Sequence, residues 1–177
     1  GMYLLESNPT LTNVNISNNT AIEGGGGGIS LLNSNATLLN MHISNNLCQA
    51  GFFGGGGMFI GSSSPILQNV TISNNTANNG GGIYIFGSPI TPILTNVTIS
   101  DNMADNGGGM YTFLGPTPIL TNSIIWGNSP QSIYNINNFP VHITYSNIEG
   151  GWEGDNNINF YPYFTSPLFE DYSLGTN

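Results

Sequence analysis

The sequence contains no lysine and no arginine, and this absence limits what the chain can bind. Nine of the 177 residues are acidic, charged residues make up 5% of the chain, and the formal net charge is −9 at pH 7. Nucleic-acid phosphates and anionic lipid headgroups are held mainly by Lys and Arg. We therefore expect no nucleic-acid partner, and we expect solubility to depend on Asn, Ser, Thr and Gly.

Cysteines, metal ligands and long apolar runs are also scarce. Cys48 is the only cysteine, which excludes an internal disulfide. No run of about 20 apolar residues is present to cross a membrane as a helix, so membrane insertion is not expected. His42 and His142 lack Cys or acidic neighbours at a ligand spacing, and Glu153 and Asp155 are interpreted as solvated. The sequence predicts no metal site and no cofactor.

A repeat of about 27 residues accounts for most of the chain. Its clearest copy is 65–87, PILQNVTISNNTANNGGGIYIFG, with which 9–32, 36–61, 92–115 and 118–137 align. Such a period indicates a solenoid. Within each copy apolar and small polar residues alternate, as in half-buried strands. The sequence therefore predicts an all-β parallel β-helix of about six rungs, one per repeat, over 1–137. The segment 138–177 is predicted to hold a last weak rung and an irregular, aromatic C-terminal cap.

Equivalent residues of the repeat form columns along the predicted stack. Two apolar columns are expected inside, one led by Val14 and Ile16 and one by Met2 and Ile29. An amide repeated on successive rungs can donate to one neighbour and accept from the other, so two asparagine columns are interpreted as ladders at buried bends. The first column is Asn13, Asn40, Asn69, Asn96 and Asn122, and the second is Asn19, Asn46, Asn75, Asn102 and Asn128.

The outward positions of the second apolar run are aromatic on most rungs, and they are the candidate binding or assembly surface. They are Tyr3, Phe59, Tyr84, Phe86, Tyr111, Phe113 and Tyr134. A soluble monomer rarely exposes so large an apolar patch, so we expect a cover. The candidates are the tail around Phe160–Phe164 and Leu168–Phe169, a neighbouring subunit or domain, or a glycan stacked on the Tyr rings. The insertion Leu47–Phe53 is expected to protrude or to fold back as a lid.

The other outer face carries small polar residues. Thr71 and Thr98 alternate with the column Ser17, Ser44, Ser73 and Ser100. A solvated strand face is the favoured interpretation of this surface, and an ice-binding lattice is a distant alternative.

The pairing of I-S-N-N with G-G-G-I or G-G-G-M resembles the repeats of bacterial secreted right-handed parallel β-helix proteins. It is similar to the FxxN and GGA-I/L/V repeats of chlamydial polymorphic outer-membrane adhesins, with Ile in place of Phe. The closing segment is similar to the ends of such β-helices, although Tyr161-Pro162-Tyr163-Phe164 stands where D-P-x-F is usual. The resemblance implies a right-handed coil and an extracellular, cell-surface location. Because the chain begins within a repeat, we expect it to belong to a longer secreted protein; the alternative is that its open first rung docks on another copy.

Catalysis is not expected. Polysaccharide lyases of this fold use a Lys or Arg, and a hydrolase needs convergent carboxylates about 5–10 Å apart. Asp101 and Asp105 replace Asn74 and Asn78 of the preceding rung, and we interpret them as turn substitutions.

Two non-enzymatic functions are therefore favoured: a structural or adhesive cell-surface segment, and a self-assembling extracellular filament subunit. A polysaccharide-acting enzyme is a distant third alternative. The expected partners are copies or neighbouring domains of the same protein and surface glycans. Asn18, Asn35 and Asn74 are the sequons best placed for glycosylation, since Asn69 and Asn96 are assigned to a buried ladder.

Overall fold

The computed structural model describes residues 1–167 and 171–175. Short strands dominate this part of the chain, and a 3-10 helix, η1, spans Ile136–Asn138. In chain order the strands are β1 (Met2–Leu5), β2 (Thr10–Thr12), β3 (Asn15–Ser17), β4 (Thr20–Ala21), β5 (Gly25–Gly26), β6 (Ile29–Leu32), β7 (Thr37–Ser44), β8 (Leu47–Cys48), β9 (Gly54–Gly55), β10 (Met58–Gly61), β11 (Ile66–Ser73), β12 (Ile83–Phe86), β13 (Ile93–Ser100), β14 (Met110–Phe113), β15 (Ile119–Thr121), β16 (Ile124–Trp126), β17 (Ile133–Asn135), β18 (His142–Thr144), β19 (Asn147–Ile148), β20 (Phe164–Ser166) and β21 (Asp171–Leu174).

Two parallel sheets form the main sides of the molecule. Sheet A has the strand order β1-β6-β10-β12-β14-β17, and sheet B has the order β18-β15-β13-β11-β7-β2 with β3, β16 and β19 joined to it. Each strand pairs with its equivalent one repeat away, as Met58 with Ile83 and Ile83 with Met110. Single bridges join Leu47, Thr76, Met103 and Ser129 along a third side. The predicted parallel β-helix is confirmed.

The core lies between the sheets. Met58, Ile83 and Met110 from sheet A are fully buried, as are Met41 and Ile72 from sheet B. The alternation of apolar and polar residues therefore places its apolar columns inside, as predicted. The triple glycines lie where successive rungs come closest at the bend before sheet A. A Cβ on Gly82 would lie 2.5 Å from the Gly109 carbonyl oxygen of the next rung.

The second asparagine column forms a ladder inside the helix. Asn46, Asn75, Asn102 and Asn128 are buried. Asn75 Nδ2 donates to Asn102 Oδ1 at 2.9 Å and to the Ile43 carbonyl at 2.9 Å. Its own Oδ1 accepts from the backbone nitrogen and the Nδ2 of Asn46. Each amide thus links three rungs, and the polar groups at this bend are paired inside the core.

The first asparagine column lies on the surface, so the prediction that it is buried is wrong. Asn40, Asn69 and Asn96 are exposed, and each has a positive φ of 51–56°. Asn tolerates this left-handed conformation better than most residues. The amides still form a ladder, with Asn69 Nδ2 donating to Asn40 Oδ1 at 3.0 Å and Asn96 Nδ2 to Asn69 Oδ1 at 3.1 Å. Asn13 and Asn122 at the ends of this column are also exposed with positive φ.

The last rung is covered by the segment that follows it. Trp152 packs on the core, and its Nε1 donates to the Val141 carbonyl at 3.3 Å. Asn157 Oδ1 accepts from the Ser146 backbone nitrogen, and its Nδ2 donates to the Ile143 carbonyl. Beyond it, β20 and β21 form an antiparallel hairpin. These contacts occupy backbone groups at the C-terminal end of the stack.

The hairpin lies against the sheet B side of the molecule. The Tyr172 hydroxyl donates to Asp101 Oδ2 at 2.9 Å and accepts from Asn74 Nδ2 at 3.1 Å. Burial, followed by the hydrogen bond to Asp101, raises the pKa of Tyr172. Ser73 and Ser100 are almost fully buried in this region. The expected flat Thr/Ser surface is therefore wrong for its serine column, which removes half of the lattice that ice binding would need.

Candidate ligand-binding cleft

An insertion in one rung covers the aromatic side of sheet A. Leu47 bridges to Thr76 of the next rung, and Gly57 is equivalent to Gly82 because Met58 pairs with Ile83. Leu47 lies ten positions before Gly57, whereas Thr76 lies six before Gly82. The four additional residues bring Phe52 and Phe53 over the sheet. Of the two expected positions, the insertion takes that of a lid.

The two inserted rings pack on the aromatic column edge to face. The centroid of Phe53 lies 5.3 Å from that of Phe86, and the centroid of Phe52 lies 5.6 Å from that of Phe113. Interplanar angles of 83° and 80° make these favourable T-shaped contacts. The insertion, and not the described part of the tail, thus supplies the cover.

The tail is directed elsewhere. Tyr161 packs on Trp126 of sheet B with ring centroids 6.0 Å apart, and Tyr172 contacts Asp101. The prediction that 160–164 covers the aromatic face is therefore wrong. Leu168 and Phe169, which were assigned to the same cover, lie outside the described residues.

The predicted aromatic surface is consequently a closed cluster over much of its length. Phe59, Tyr84 and Tyr111 are 9%, 0% and 2% exposed. Phe86, Phe113, Tyr134 and Ile136 are half-buried around them. Tyr3, at the N-terminal end of the column, remains 62% exposed. These residues point away from the core as predicted, but most of them do not face solvent.

A cleft of about 410 Å³ opens where the insertion ends. The bends of the next two rungs are shorter than the insertion, so the space beside Phe52 is left unfilled. The cleft is lined by Gly51, Phe52, Asn78, Asn79, Asp105, Asn106, Tyr111, Tyr134 and Ile136. Aromatic rings, amides and one carboxylate thus meet in a single concave site.

Two tyrosines form part of the cleft wall. The rings of Tyr111 and Tyr134 stack with centroids 5.5 Å apart and an interplanar angle of 16°. Because each turns one face toward the other, those faces are not open to a ligand, in contrast to the simple stacking surface expected from the sequence. Burial, followed by the proximity of Tyr134, raises the pKa of Tyr111. Its hydroxyl is therefore neutral at pH 7 and can both donate and accept.

The polar side of the cleft is held by a short asparagine ladder that the sequence analysis missed. Asn106 Nδ2 donates to Asn79 Oδ1 at 3.0 Å, and Asn79 Nδ2 donates to the Phe52 carbonyl at 3.2 Å. The ladder fixes the insertion to the neighbouring rung. The signal was present in the sequence as two asparagines 27 positions apart before the glycines. Asp105 is exposed beside this ladder.

One hydroxyl next to the cleft lacks a partner. Tyr84 is completely buried, and its hydroxyl is the only buried side-chain oxygen or nitrogen in the described part of the chain without a hydrogen bond. The Tyr84 ring lies 4.9 Å from that of Tyr111, centroid to centroid. Burial, followed by the proximity of Tyr111, raises the pKa of Tyr84. The hydroxyl therefore stays protonated and retains an unused donor.

The predicted glycosylation sites differ in accessibility. Asn18 and Asn35 are exposed, whereas Asn74 is half-buried and donates to Tyr172. Asn69 and Asn96 were set aside because they were assigned to a buried ladder, and that reason is wrong.

Carboxylates and metal ligands do not gather around the cleft. Within residues 1–167 and 171–175 no group of three or more His, Cys, Asp or Glu side chains is placed to hold a metal ion. In the same residues no helix is long and apolar enough to cross a membrane. Cys48 is buried, and burial raises the pKa of its thiol.

Comparison with known proteins identifies the fold family. The family model described as "Right handed beta helix region" matches residues 27–156. No curated protein and no solved structure matches the chain. The matched region includes the regular rungs, the insertion and the cleft, and it covers well over half of the sequence. The chain belongs to the right-handed β-helix family.

Proposed function

We propose that this chain is a non-enzymatic structural and adhesive segment of an extracellular bacterial surface protein, and that it binds neutral glycans. The observation that carries the proposal is the cleft, in which tyrosines and asparagine amides converge on a rigid stack of rungs. Small-molecule sites are typically concave and combine aromatic walls with a few polar groups. Saccharides offer both apolar ring faces and many hydroxyls, which match such a site.

The negative charge of the chain favours neutral glycans over anionic ones. With no Lys or Arg in the sequence, no cation is available to pair with a uronate or a sulfate. Asp105 at the cleft would repel such groups. A neutral saccharide is therefore the ligand class that fits best.

The absence of catalysis remains part of the proposal. Asp101 is engaged by Tyr172 on the sheet B side, whereas Asp105 lies at the cleft. The cleft thus contains one carboxylate from the described residues, whereas glycoside hydrolysis ordinarily uses two.

The test is titration calorimetry with neutral hexasaccharides of glucose, xylose and N-acetylglucosamine. We expect one of them to bind the chain and Tyr134→Ala to abolish binding. Tyr163→Ala is the matched control, because Tyr163 is 64% exposed in the tail and away from the cleft. Failure of all the saccharides to bind, or equal loss in both variants, would contradict the proposal.

A self-assembling filament subunit is the alternative. Tyr3 and Leu5 of strand β1 are 62% and 47% exposed, and exposed apolar side chains of this kind can pack against another copy. Charged substitutions at Tyr84 and Tyr111 would test the stability of a buried cluster, so Tyr3→Glu is the better probe. If electron microscopy shows filaments that Tyr3→Glu removes, assembly replaces adhesion as the primary function.

A further inference from the structure

The buried hydroxyl of Tyr84 lies on the rung next to the cleft and has no hydrogen-bond partner. A hydroxyl that is removed from water without a hydrogen bond is unfavourable, and in the described residues this is the only such side-chain atom. Tyr84 belongs to the same column as Tyr111 and Tyr134, which line the cleft. Tyr84 therefore lies one rung beyond Tyr111, on the side of Tyr111 opposite to Tyr134.

Phe53 is a half-exposed ring that packs beside Tyr84. The centroid of its ring lies 6.4 Å from that of Tyr84 and 5.0 Å from that of Phe52. Phe53 itself is 46% exposed, and its ring also packs edge to face on Phe86 at 5.3 Å. A rotation of the side chain away from Tyr84 exchanges these ring contacts for solvent and leaves the core between the sheets intact.

Hydrogen bonds hold the backbone of the insertion, whereas the side chains of Phe52 and Phe53 are about half exposed. The Gly25 backbone nitrogen donates to the Phe53 carbonyl at 3.2 Å, and Asn79 Nδ2 donates to the Phe52 carbonyl. A Cβ on Gly51 would meet no atom within 4 Å, so this end of the insertion is loosely packed. The wall formed by Phe52 can thus remain in place when Phe53 turns.

We propose that Phe53 is a gate over a saccharide subsite whose hydrogen-bonding group is the Tyr84 hydroxyl. This inference rests on the proposed function and adds to it the gate and the additional rung. When Phe53 turns outward, a hydroxyl of a neutral saccharide that already lies along Tyr134 and Tyr111 accepts from Tyr84. The ligand thereby satisfies the group that the closed state leaves unpaired.

The first test removes only the hydroxyl. Tyr84→Phe keeps the ring contacts and deletes an atom that is unpaired without ligand, so stability to urea should not fall. Affinity for the neutral hexasaccharide that binds best should fall about fivefold, the effect of one net hydrogen bond. Unchanged affinity would overturn the inference while leaving the proposed function intact.

The second test removes the gate. In Phe53→Ala, Tyr84 should react with N-acetylimidazole, as mapped by mass spectrometry, whereas in the wild type it should be protected. Phe160→Ala is the control, because Phe160 is an exposed ring outside the cluster. Phe53→Ala should also bind the hexasaccharide more tightly, since affinity is reduced by the fraction of molecules that are closed.

These outcomes distinguish the two proposals. Binding that is abolished by Tyr134→Ala but insensitive to both Tyr84→Phe and Phe53→Ala would confine the ligand to the open cleft and overturn the gate. Lack of binding by the wild type and by Phe53→Ala would overturn the gate and the proposed function together.

Discussion

The two asparagine columns use the same residue at the same spacing in opposite environments. In the inner ladder Asn75 is completely buried and its amide joins four hydrogen bonds, two as donor and two as acceptor. In the outer ladder Asn69 is exposed and its amide bonds only to the amides above and below. The inner column satisfies polar groups in the core, whereas the outer column supplies a residue that accepts a positive φ. That an asparagine recurs in every repeat therefore does not show whether its side chain is buried and hydrogen-bonded or its backbone needs a positive φ.

The residues directly before the inner ladder show that the requirement for an amide is limited to a single position of the repeat. Asn74 precedes Asn75 and has a φ of 55°, and its equivalent in the next rung is Asp101, with the same φ. The position that follows keeps asparagine as Asn102. The position before the ladder, which is half-buried as Asn74 and exposed as Asp101, thus accepts a carboxylate within this molecule, whereas the buried position next to it retains the amide.

The largest expected effect comes from Asn75→Asp. A carboxylate oxygen would replace the Nδ2 that now donates to the Ile43 carbonyl and Asn102 Oδ1, so three acceptors would face each other without water. We expect a loss of about 4 kcal/mol in the free energy of unfolding at pH 7. Asn18→Asp, at the exposed equivalent of Asp101 in an earlier rung, should cost less than about 1 kcal/mol. Urea denaturation of both variants measures the difference, and equal losses would contradict it.

The same pair of variants gives a pH test. Burial among acceptors raises the folded-state pKa of an aspartate at position 75 above its unfolded value of about 4. The folded state then binds more protons than the unfolded state between the two pKa values, so its stability falls as pH rises through that window. The deficit of Asn75→Asp relative to the wild type should therefore shrink as the pH is lowered from 7 to 4. A deficit that grows toward low pH would show that the carboxylate is stabilised when charged.

Asn75→Ala should be the next most harmful change. It leaves the Asn46 amide and the Ile43 carbonyl without their partners in the core, at a cost of about 3 kcal/mol. Because the buried groups carry no charge, the loss should not vary with pH between 5 and 8. Urea denaturation at several pH values checks both statements, and a loss below about 1 kcal/mol would mean that water replaces the amide.

Short-range periodicity was sufficient to predict the fold. Alternation in Val70-Thr71-Ile72-Ser73 places Val70 and Ile72 in the core, and the repeat length places each strand beside its equivalent. Both features depend on local geometry, which the sequence encodes directly. The inner ladder was predicted for the same reason, because its asparagines recur at one position of the repeat.

The candidate site was predicted only in part, because its geometry depends on which of two aromatic segments covers sheet A. Phe52 and Phe53 in the insertion and Phe160 to Phe164 in the tail are equally apolar. The contacts of Tyr172 with Asp101 and Asn74 direct the tail to sheet B, and no sequence pattern reveals a pairing between residues 71 positions apart. The cleft exists because the four-residue insertion belongs to the rung of Phe59, two rungs before Tyr111, and the bends of those two later rungs are shorter.

The outer ladder should be far less sensitive to Asn→Ala. Asn69 is exposed, so its hydrogen bonds compete with water, but alanine disfavours the φ of 56° found there. We expect Asn69→Ala to cost about 1–2 kcal/mol, mainly through the backbone. The measurement is urea denaturation beside Asn75→Ala. A cost as large as that of the inner variant would contradict the assignment of separate functions to the two columns.

The smallest expected effect is that of Asn69→Gly, which separates the backbone requirement for a positive φ from the side-chain hydrogen bonds of the outer ladder. Asn69→Gly removes the same side-chain hydrogen bonds as Asn69→Ala but adopts a positive φ without a steric penalty. If the backbone requirement dominates, the glycine variant should lie within about 0.5 kcal/mol of the wild type. If instead glycine is as harmful as alanine, the exposed amide ladder itself stabilises the stack. Denaturation of Asn96→Gly, which has a φ of 55° in the next rung, provides an independent repeat because it tests the same geometry in a different rung.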